Sequence, residues 1–376
     1  MRQTAGKGAE AGVNGVLPSQ RLRALIGAGV ITAETEILPG QIQPASLDLR
    51  LGRTAYRVRA SFLTGPGRTV KERLDSVEMH AIDLADGAVL ERHCVYIVPL
   101  LERVRLPPGI QAFANPKSST GRLDVFARLI TDHGVEFDRV PEGYDGPLYG
   151  EISPRAFSVR VRAGTRLMQL RLRAGHPTAS DAALRQLHAS VALVGGAAGE
   201  ADIKDGLAFT ADIHGDPETG IVGYRARRHA GLIDVERIGY YDPLDFWEPV
   251  RCRGEGGIIL DPNDFYILAS REAVTVPPDH AAEMLAYDTR VGEFRVHYAG
   301  FFDPGFGWAG TGGTGSRAVL EVRAHEVPFL IEDGQVVGRL VYERLTETPD
   351  ILYGTPIGSS YQRQGLTLGK QFKRLS

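Results

Sequence analysis

The sequence repeats a set of landmarks at a spacing of 170 residues, and this repeat constrains the fold more than any other feature. The pairs that keep the register are Tyr96 and Tyr266, Pro107 and Pro277, Glu151 and Glu321, and Gly164 and Gly334. Solenoids and propellers repeat every ~20–50 residues, so a period this long indicates a duplicated domain. A functional site must therefore be looked for in both halves.

Composition and charge argue against several classes of protein. A chain of 376 residues accommodates about two domains of ~100–200 residues each. Because the net charge is -3, no global positive field attracts a nucleic acid polymer. No apolar run approaches the ~18 residues of a membrane helix, so no membrane partner is expected. Cys94 and Cys252 fall one in each half, which argues against a disulfide framework and favours a reducing, cytoplasmic location.

The predicted domain organisation follows from the repeat and from local composition. Residues 1–15 are rich in Gly and Ala and lack the apolar segment of a signal peptide, so we expect a disordered leader. Residues 16–178 form the first predicted domain, and residues 179–190 form a linker that contains a helix. Residues 191–376 form the second domain, which ends in a tail that we expect to be mobile without ligand.

Short runs of alternating apolar and polar residues predict an all-β fold. The runs at 47–51, 157–161 and 167–172 are matched in the second half by those at 318–322 and 338–342. Many short strands separated by turns indicate a sandwich or barrel in each half. Helices are expected to be few, namely one from Ser19 to Ala28 that Ser19 caps and one from Asp181 to Ala189.

Common sequence motifs give no support for a dinucleotide loop or a zinc site in this chain. Residues 310–315 have the G-x-G-x-x-G spacing of a dinucleotide loop, but a strand rather than a helix is predicted to follow, so a hairpin loop is expected. The ten histidines form no HExxH pair, and one cysteine in each half cannot supply a Cys-x-x-Cys clamp for zinc. Any hydrolytic chemistry is therefore expected to proceed without zinc.

The strongest local candidate for anion binding lies at residues 116–122. Two cations flank three consecutive hydroxyls and a glycine, in the order Lys117, Ser118, Ser119, Thr120, Gly121 and Arg122. Hydroxyl, ammonium and guanidinium groups all donate to phosphate oxygens, and glycine lets the backbone approach a ligand. A polar turn between two strands explains the same residues, and composition alone does not separate the two interpretations.

A carboxylate among apolar neighbours is the second candidate. Glu151 follows the turn-forming run 143–150 as the chain enters a predicted strand, and Glu321 repeats its position. Burial of such a carboxyl raises its pKa toward the working range of a proton carrier. An exposed strand glutamate is the ordinary alternative, and the repetition at Glu321 counts against it.

The order of these motifs resembles that of dCTP deaminases, in the trimeric dUTPase superfamily. The run at 44–52 is similar to an early strand motif of that family. Residues 117–123 resemble its R-S-S-x-x-R-L phosphate and active-site motif, with Lys117 in place of the first arginine. The run at 143–151 resembles its G-[WY]-x-G-x₄-E segment and places the family's catalytic glutamate on Glu151. A chain with two copies resembles the long proteobacterial form.

The resemblance implies tandem dUTPase-like domains, each a distorted β-barrel or jelly-roll, that deaminate dCTP to dUTP and ammonia without zinc. Glu151 or Glu321 would carry the proton, while Ser118 and Arg122 would position the water and hold the glutamate's charge. Mg²⁺ would enter with the triphosphate. A homo-oligomer is implied too, with threefold symmetry and active sites between subunits. The candidates for contact with the substrate are Lys117, Ser119, Thr120, Gly121, Asp138, Tyr149, Asp303, Tyr353 and Gln364.

Each half departs from the family pattern in its own way. The first half has the insertion 139–142 where the family has a shorter run, which the second half keeps as residues 302–306. The second half retains at best Arg290 of the phosphate motif, and Ser360 stands in the tail where the family often has lysine. Neither half is therefore a complete deaminase by its motifs.

Because Ser118, Arg122 and Glu151 occur together in the first half, we expect that half to carry the chemistry. A dUTP diphosphatase or a bifunctional enzyme on the same fold is one alternative, in which Asp138 or Asp303 aims water at the α-phosphate. A non-catalytic nucleotide-binding or scaffolding protein, left by decay of the duplication, is the other. Release of ammonia or of pyrophosphate separates the first alternative from a deaminase.

Overall fold

The structure of the chain is a computed structural model that describes residues 14–195, 201–252, 257–285, 294–296, 300–324, 326–354 and 365–374. These residues form mainly β-strands, as the alternating runs predict, and the all-β class is confirmed. The α-helices in the described ranges are short, and their bounds are α1 Ser19–Gly27, α2 Val70–Val77, α3 Ser118–Gly121, α4 Asp181–Ser190 and α5 Pro243–Phe246.

Both helices that the sequence predicts are present. α4 begins at the predicted residue, where the Ser180 hydroxyl accepts a hydrogen bond from the Ala183 amide at 3.3 Å. α1 has Pro18 at its cap position, and Ser19 lies in its first turn, which corrects the predicted cap. The Ser19 hydroxyl instead donates to the carboxylate of Asp350, near the other end of the chain.

The first unit, residues 14–178, contains three sheets. The strands are β1 Gly15–Val16, β2 Ile31–Ala33, β3 Leu47–Leu49, β4 Thr54–Val58, β5 Glu78–Asp83, β6 Ala88–Leu90, β7 Val95–Arg105, β8 Ile110–Pro116, β9 Val125–Thr131, β10 Arg139–Val140, β11 Asp145–Pro154, β12 Val159–Val161 and β13 Met168–Ala174. In the first sheet β13 pairs with β3 and with β8, and β8 pairs with β10. The second sheet has the order β5-β4-β7-β11-β9, and in the third β6 pairs with β12.

The second unit, residues 179–374, repeats these pairings. Its strands are β14 Val194–Gly195, β15 Leu207–Thr210, β16 Ile221–Ala226, β17 Ile233–Asp234, β18 Trp247–Arg251, β19 Ile258–Leu260, β20 Phe265–Val274, β21 His280–Leu285, β22 Phe294–Val296, β23 Phe301–Phe302, β24 Ser316–Ala324, β25 Phe329–Ile331 and β26 Val336–Arg344. Two of its sheets have the orders β15-β26-β21-β23 and β18-β16-β20-β24-β22, and β19 pairs with β25.

β13 shows how an alternating strand builds the contact between the two units. Leu170 and Leu172 are fully buried in the core of the first unit, and the alternating Arg171 and Arg173 point to the opposite face of the strand. Arg171 Nη1 lies 3.5 Å and Arg173 Nε 2.7 Å from the carboxylate of Glu343 on β26. Buried arginines require such partners, so the second unit covers the polar face of this strand.

Further contacts continue the core of the first unit into the second. β17 pairs in parallel with β12, and Trp247 of β18 is fully buried beside Phe157 of the first unit, with ring centroids 5.3 Å apart. Asp124 of the first unit and Arg323 of β24 form a buried ion pair. The two units therefore pack along an extensive mixed surface of apolar and charged side chains.

The chain ends differ in part from the sequence-based expectation. Residues 1–13 lie outside the described residues, and β1 begins at Gly15, which is the last residue of the predicted leader. Near the other end, Leu368 and Phe372 are buried in the core cluster of the first unit, so apolar residues anchor the end of the tail that was expected to be mobile. None of the helices in the described ranges has the length and apolar character that crossing a membrane requires.

Candidate active site

A cavity of about 530 Å³ lies between the two units, within the usual range for a small-molecule site of ~300–1,000 Å³. The first unit contributes the loop at 117–122 and the segment at 164–167, and the second unit contributes side chains from β23 and β24. The apolar side chains that the second unit contributes to its wall include Met284, Phe302, Phe306 and Val319. The site is therefore built from both halves rather than within one of them.

The loop at 117–122 is fixed at one side of this cavity. α3 follows directly on β8, and both the Lys117 amide, at 2.9 Å, and the Thr120 hydroxyl, at 2.7 Å, donate to the Leu167 carbonyl. Ser119 and Thr120 are consequently buried, whereas Ser118 remains exposed. The Ser118 hydroxyl is thus the side-chain hydroxyl of this loop that is most accessible from the cavity.

Arg122 and Glu321 bring opposite charges from the two units to the same cavity. Arg122 is 2% exposed, and its Nη1 donates to the Thr367 carbonyl at 3.1 Å. Burial raises the pKa of the Glu321 carboxyl to about 7, an effect that the nearby Arg122 guanidinium opposes and the charge of Asp124 increases. A carboxyl that titrates near neutrality can accept and return a proton at physiological pH.

Asp303 is the second buried carboxyl of the cavity. It follows β23, and Arg171 Nη2 lies 3.4 Å from its Oδ1. Burial raises the pKa of Asp303, and the positive charges of Arg171 and Lys117 partly offset this effect. The sequence predicted this residue as a site candidate, and the structure places it in the same cavity as Lys117 and Ser118.

Tyr353 lies at the wall formed by the second unit. Its amide donates to the Pro304 carbonyl at 2.8 Å, and its ring centroid is 5.6 Å from that of Phe306. Gly305 has φ 97°, and a Cβ there would lie 2.8 Å from the Tyr353 carbonyl oxygen. Only glycine fits this close backbone approach without strain. Gln364, the other predicted tail contact, lies outside the described residues.

The structure places Glu151 away from this cavity, which corrects the expected grouping with Ser118 and Arg122. Its Oε2 accepts from the Ser61 hydroxyl at 2.6 Å, and its Oε1 accepts from Arg128 Nε at 3.1 Å. The loop at 117–122 extends from β8, whereas Glu151 lies on β11 of a different sheet. Membership of one unit therefore did not imply membership of one site.

Two other predicted substrate contacts also lie outside the cavity. The carboxylate of Asp138 accepts from the Leu129 amide at 2.7 Å, and burial raises its pKa to about 7. Tyr149 packs in a small apolar cluster with Ile97 and Ile130, where burial raises its pKa to about 12. Neither side chain lines the site that contains Ser118, Arg122 and Glu321.

The cavity residues that the sequence did not single out include a group of charged side chains at one end. Asp48 forms an ion pair with Lys117, Arg166 Nη1 lies 3.5 Å from the other Asp48 oxygen, and Lys370 lines the same end. Asp48 falls within the early strand motif, which was a signal for its importance. Arg166 and Lys370 carry no motif, and only the fold brings them together.

Among the described residues, one group of side chains outside the cavity has the spacing of metal ligands. Asp212, His214 and Asp333 have ligand atoms within 4.8 Å of one another, but they lie outside the cavity. Asp212 forms an ion pair with Arg317, and Asp333 lies 3.2 Å from Arg271 Nη1. These two carboxylates are thus already paired with arginines, and the group gives no reason to place a metal in the site.

A buried carboxyl whose pKa is raised to about 7, in the same cavity as an arginine and other cationic side chains, is a combination typical of enzyme sites. Two family models identify which class of enzyme it is. The model of the 2'-deoxycytidine 5'-triphosphate deaminase N-terminal domain matches residues 13–176, and that of the C-terminal domain matches residues 180–372. The chain belongs to the dCTP deaminase family.

Individual relatives agree with the family models. The chain is 27% identical over 150 residues to a protein named dCTP deaminase, dUMP-forming, from Beutenbergia cavernae, a match that covers 38% of this chain and 74% of the relative. It is 29% identical over 159 residues to a protein of the same name from Streptomyces coelicolor, covering 40% and 80%. These matches span less than half of the duplicated chain.

A solved structure matches nearly the whole chain. The crystal structure of 2'-deoxycytidine 5'-triphosphate deaminase from Agrobacterium tumefaciens is similar with a TM-score of 0.85 and 53% sequence identity, covering 90% of this chain and all of that one. The match extends over both units. Together with the family models it supports dCTP deamination as the activity of this chain.

Proposed function

We propose that this dCTP deaminase forms dUTP and ammonia with Glu321 as its proton carrier. The observation that carries this proposal is the position of Glu321, whose pKa is raised to about 7, in the same cavity as Ser118 and close to Arg122. Glu151 has the same motif position, but its carboxylate is already paired with Arg128. The second unit would then supply the base and the first unit the loop.

The reaction requires water to add to C4 of cytosine and the amine to leave. In the proposed sequence the Glu321 carboxylate takes a proton from the water as its oxygen bonds to C4, and N3 of the ring receives that proton. A second proton then passes from the added hydroxyl to the amine through Glu321, the C4–N bond breaks, and ammonia leaves a C4 carbonyl. Ser118 would hold the water, and Arg122 would keep the carboxylate ionised when substrate excludes water.

The cationic end of the cavity suits the phosphates of the nucleotide. Lys117 would donate to phosphate oxygens, while the buried Ser119, Thr120 and Gly121 shape the loop. The apolar wall would accept the sugar and base, and Tyr353 would cover them from the second unit. Gln364 stays a candidate for a phosphate contact.

Mg²⁺ is proposed to enter with the triphosphate, without zinc in the site. Asp48 is the carboxylate at the cationic end, and Lys117 and Arg166 both lie against it. A carboxylate that two cations already neutralise is a weak ligand for a hard cation, so the phosphate oxygens would supply most of the coordination. The ion would neutralise phosphate charge. Elemental analysis that finds one tightly bound zinc for each chain would contradict this part of the proposal.

A bifunctional enzyme that continues to dUMP is the second candidate. The relatives from Beutenbergia cavernae and Streptomyces coelicolor are named dUMP-forming, and Asp303 is a buried carboxyl in the cavity that could orient water toward the α-phosphate. Because Arg171 pairs with Asp303, we place this activity second. Asp138, the other aspartate considered for this role, lies outside the cavity.

The assembly and fold details are part of the same proposal. We infer that each unit is a distorted dUTPase-like barrel and that the active molecule is a cytoplasmic homo-oligomer with threefold symmetry. Light scattering at several protein concentrations would test the trimer, and a stable monomer would contradict it.

Product analysis tests the proposed function. Purified protein is incubated with dCTP and Mg²⁺, ammonia is measured, and nucleotides are separated by anion-exchange chromatography. The proposal predicts that ammonia and dUTP form in equal amounts and that pyrophosphate stays at background. Equal amounts of dUMP and pyrophosphate would establish the bifunctional candidate, and absence of ammonia would reject deamination.

A further inference from the structure

One end of the cavity gathers three cations around a single carboxylate. We call this group the cation cluster and define it as Lys117, Arg166 and Lys370 around Asp48. Lys117 forms an ion pair with one Asp48 oxygen, and Arg166 Nη1 lies 3.5 Å from the other. The Asp48 side chain is only 3% exposed, so it is held between these cations. Positive charge exceeds negative charge in the cluster.

Lys370 reaches the cluster from the last described segment of the chain, and its neighbours fix its position. The Lys370 carbonyl accepts from the Gly239 amide at 2.9 Å. The next residue, Gln371, is 2% exposed and donates its side-chain amide to the Val235 carbonyl at 3.0 Å. Phe372 then packs against Trp247, with ring centroids 5.9 Å apart. The backbone at Lys370 is thus anchored on both sides.

The surroundings of the Lys370 ammonium are unfavourable for its charge without a ligand. Burial lowers its pKa, the positive charges of Lys117 and Arg166 lower it further, and Asp48 opposes the effect. Within the described ranges of the chain, Lys370 makes no ion pair of its own, since the Asp48 oxygens are engaged by Lys117 and Arg166. An anion that entered the cavity would relieve this repulsion and satisfy the ammonium donors.

We propose that Lys370 binds the terminal phosphates of the nucleotide and thereby makes the site prefer a triphosphate over a monophosphate. The proposal rests on the nucleotide being the substrate of this cavity, as argued above. In this arrangement the base lies beside Glu321 and the phosphates extend toward Lys117, which lines the cavity together with Arg166 and Lys370. A monophosphate is too short to contact every cation of the cluster, whereas the β- and γ-phosphates of a triphosphate place additional negative charge close to Lys370.

The test compares substrates that differ in phosphate number. Lys370→Met removes the charge and keeps most of the side-chain length. Since a hydrogen bond to a charged group contributes about tenfold or more to binding, we expect the KM for dCTP to rise by about tenfold or more. The KM for dCMP should change by less than about twofold, with kcat for dCTP retained. Lys370→Arg should keep most of the preference.

Lys373→Met is the matched control, because this exposed lysine lies three residues further along the same segment. It should leave both KM values unchanged. An equal rise in the KM for dCTP and dCMP in Lys370→Met, or no rise in either, would overturn the proposal. The first outcome would mean that Lys370 only supports the fold of the site, and the second that the phosphates do not reach it.

Calorimetric titration with inorganic triphosphate separates this inference from the proposed reaction. Wild-type protein should bind this probe at least about tenfold more tightly than Lys370→Met does. If the wild type releases no ammonia from dCTP but still shows this difference, the proposed reaction is wrong and the role of Lys370 stands. If ammonia is released and the two proteins bind the probe equally, the role of Lys370 is wrong and the reaction stands.

Discussion

Glu151 and Glu321 occupy the same register in the two units, 170 residues apart, yet they have different partners. Glu151 lies opposite Ile97 between β11 and β7, and Glu321 lies opposite Ile267 between β24 and β20. Glu151 is also the cross-strand neighbour of Arg128 on β9, which forms an ion pair with it. The duplicated strand thus presents one glutamate to an arginine of its own unit and the other to the cavity between units.

The partners of the two glutamates explain why they would differ in chemistry. The Arg128 guanidinium is held over the Phe137 ring, 3.8 Å from its centroid, and Ser61 donates to the second Glu151 oxygen. Both oxygens of the Glu151 carboxylate are therefore already engaged by side chains of its own unit. Glu321 instead lies where burial favours its protonated form, which is the property required of a proton carrier.

The pH dependence of the rate should report the ionisation of Glu321. Because the carboxylate must accept a proton from water, kcat/KM should be constant well above pH 7 and fall about tenfold for each pH unit below it. A pH profile of dCTP deamination, corrected for protonation of the triphosphate, checks this expectation. An acidic limb with a midpoint near pH 4.5, the ordinary value for glutamate, would show that burial does not tune the catalytic group.

The same raised pKa has a consequence for stability. The pKa of Glu321 is about 7 in the folded chain against an ordinary 4.5, so the folded state binds the proton more tightly. This group therefore destabilises the fold as the pH rises from about 4.5 to 7, by up to about 3 kcal/mol above pH 7. Glu321→Gln, which mimics the protonated form, should raise the midpoint of thermal unfolding at pH 8 and change it little at pH 5.

Glu151→Gln is the matched control for stability, because it changes the equivalent position of the other unit. It removes the charge that neutralises Arg128, so it should lower the unfolding midpoint at pH 8 or leave it unchanged. Thermal unfolding of both variants at the two pH values checks the contrast. A lower midpoint for Glu321→Gln at pH 8 would contradict the assigned cost of burying the Glu321 charge.

Truncation after Leu352 should destabilise the chain, because the end of the tail is part of the core. The deletion would remove Phe372, which is 5% exposed and packs with its ring centroid 5.5 Å from that of Phe246. Loss of a buried phenylalanine costs about 3–5 kcal/mol. Chemical denaturation of Phe372→Ala, with the exposed Lys373→Ala as its control, measures the effect. Equal stability of the two variants would show that the tail is not part of the core.

The local sequence patterns predicted more of the fold than of the site. Alternating runs such as 167–172 identified strands, and the 170-residue register of Glu151 and Glu321 is the register of the strand pairs themselves. The all-β class followed from these local periodicities. The burial of both faces of β13 did not, because the alternation of Leu170 with Arg171 is the same whether the arginine face meets water or a second unit.

The composition of the site could be predicted only in part. The motifs identified Ser118, Arg122 and both glutamates, but they gave no information on which unit faces which loop. Lys370 was missed because its role depends on the return of the chain end to the first unit, a contact over hundreds of residues that no local pattern encodes. The structure likewise does not bring Glu151 together with Ser118 and Arg122, because no local pattern encodes which strands meet at the cavity.

Steady-state kinetics of two single variants decide which of the two glutamates carries the proton. Glu321→Gln and Glu151→Gln make the same isosteric change at equivalent positions, so a difference between them reports the site and not the substitution. The account predicts that Glu321→Gln lowers kcat for dCTP by at least ~10²-fold, the low end for general acid–base catalysis, while nucleotide binding persists. Glu151→Gln should stay within about threefold of the wild type. An inactive Glu151→Gln beside an active Glu321→Gln would contradict the account and return the chemistry to the first unit.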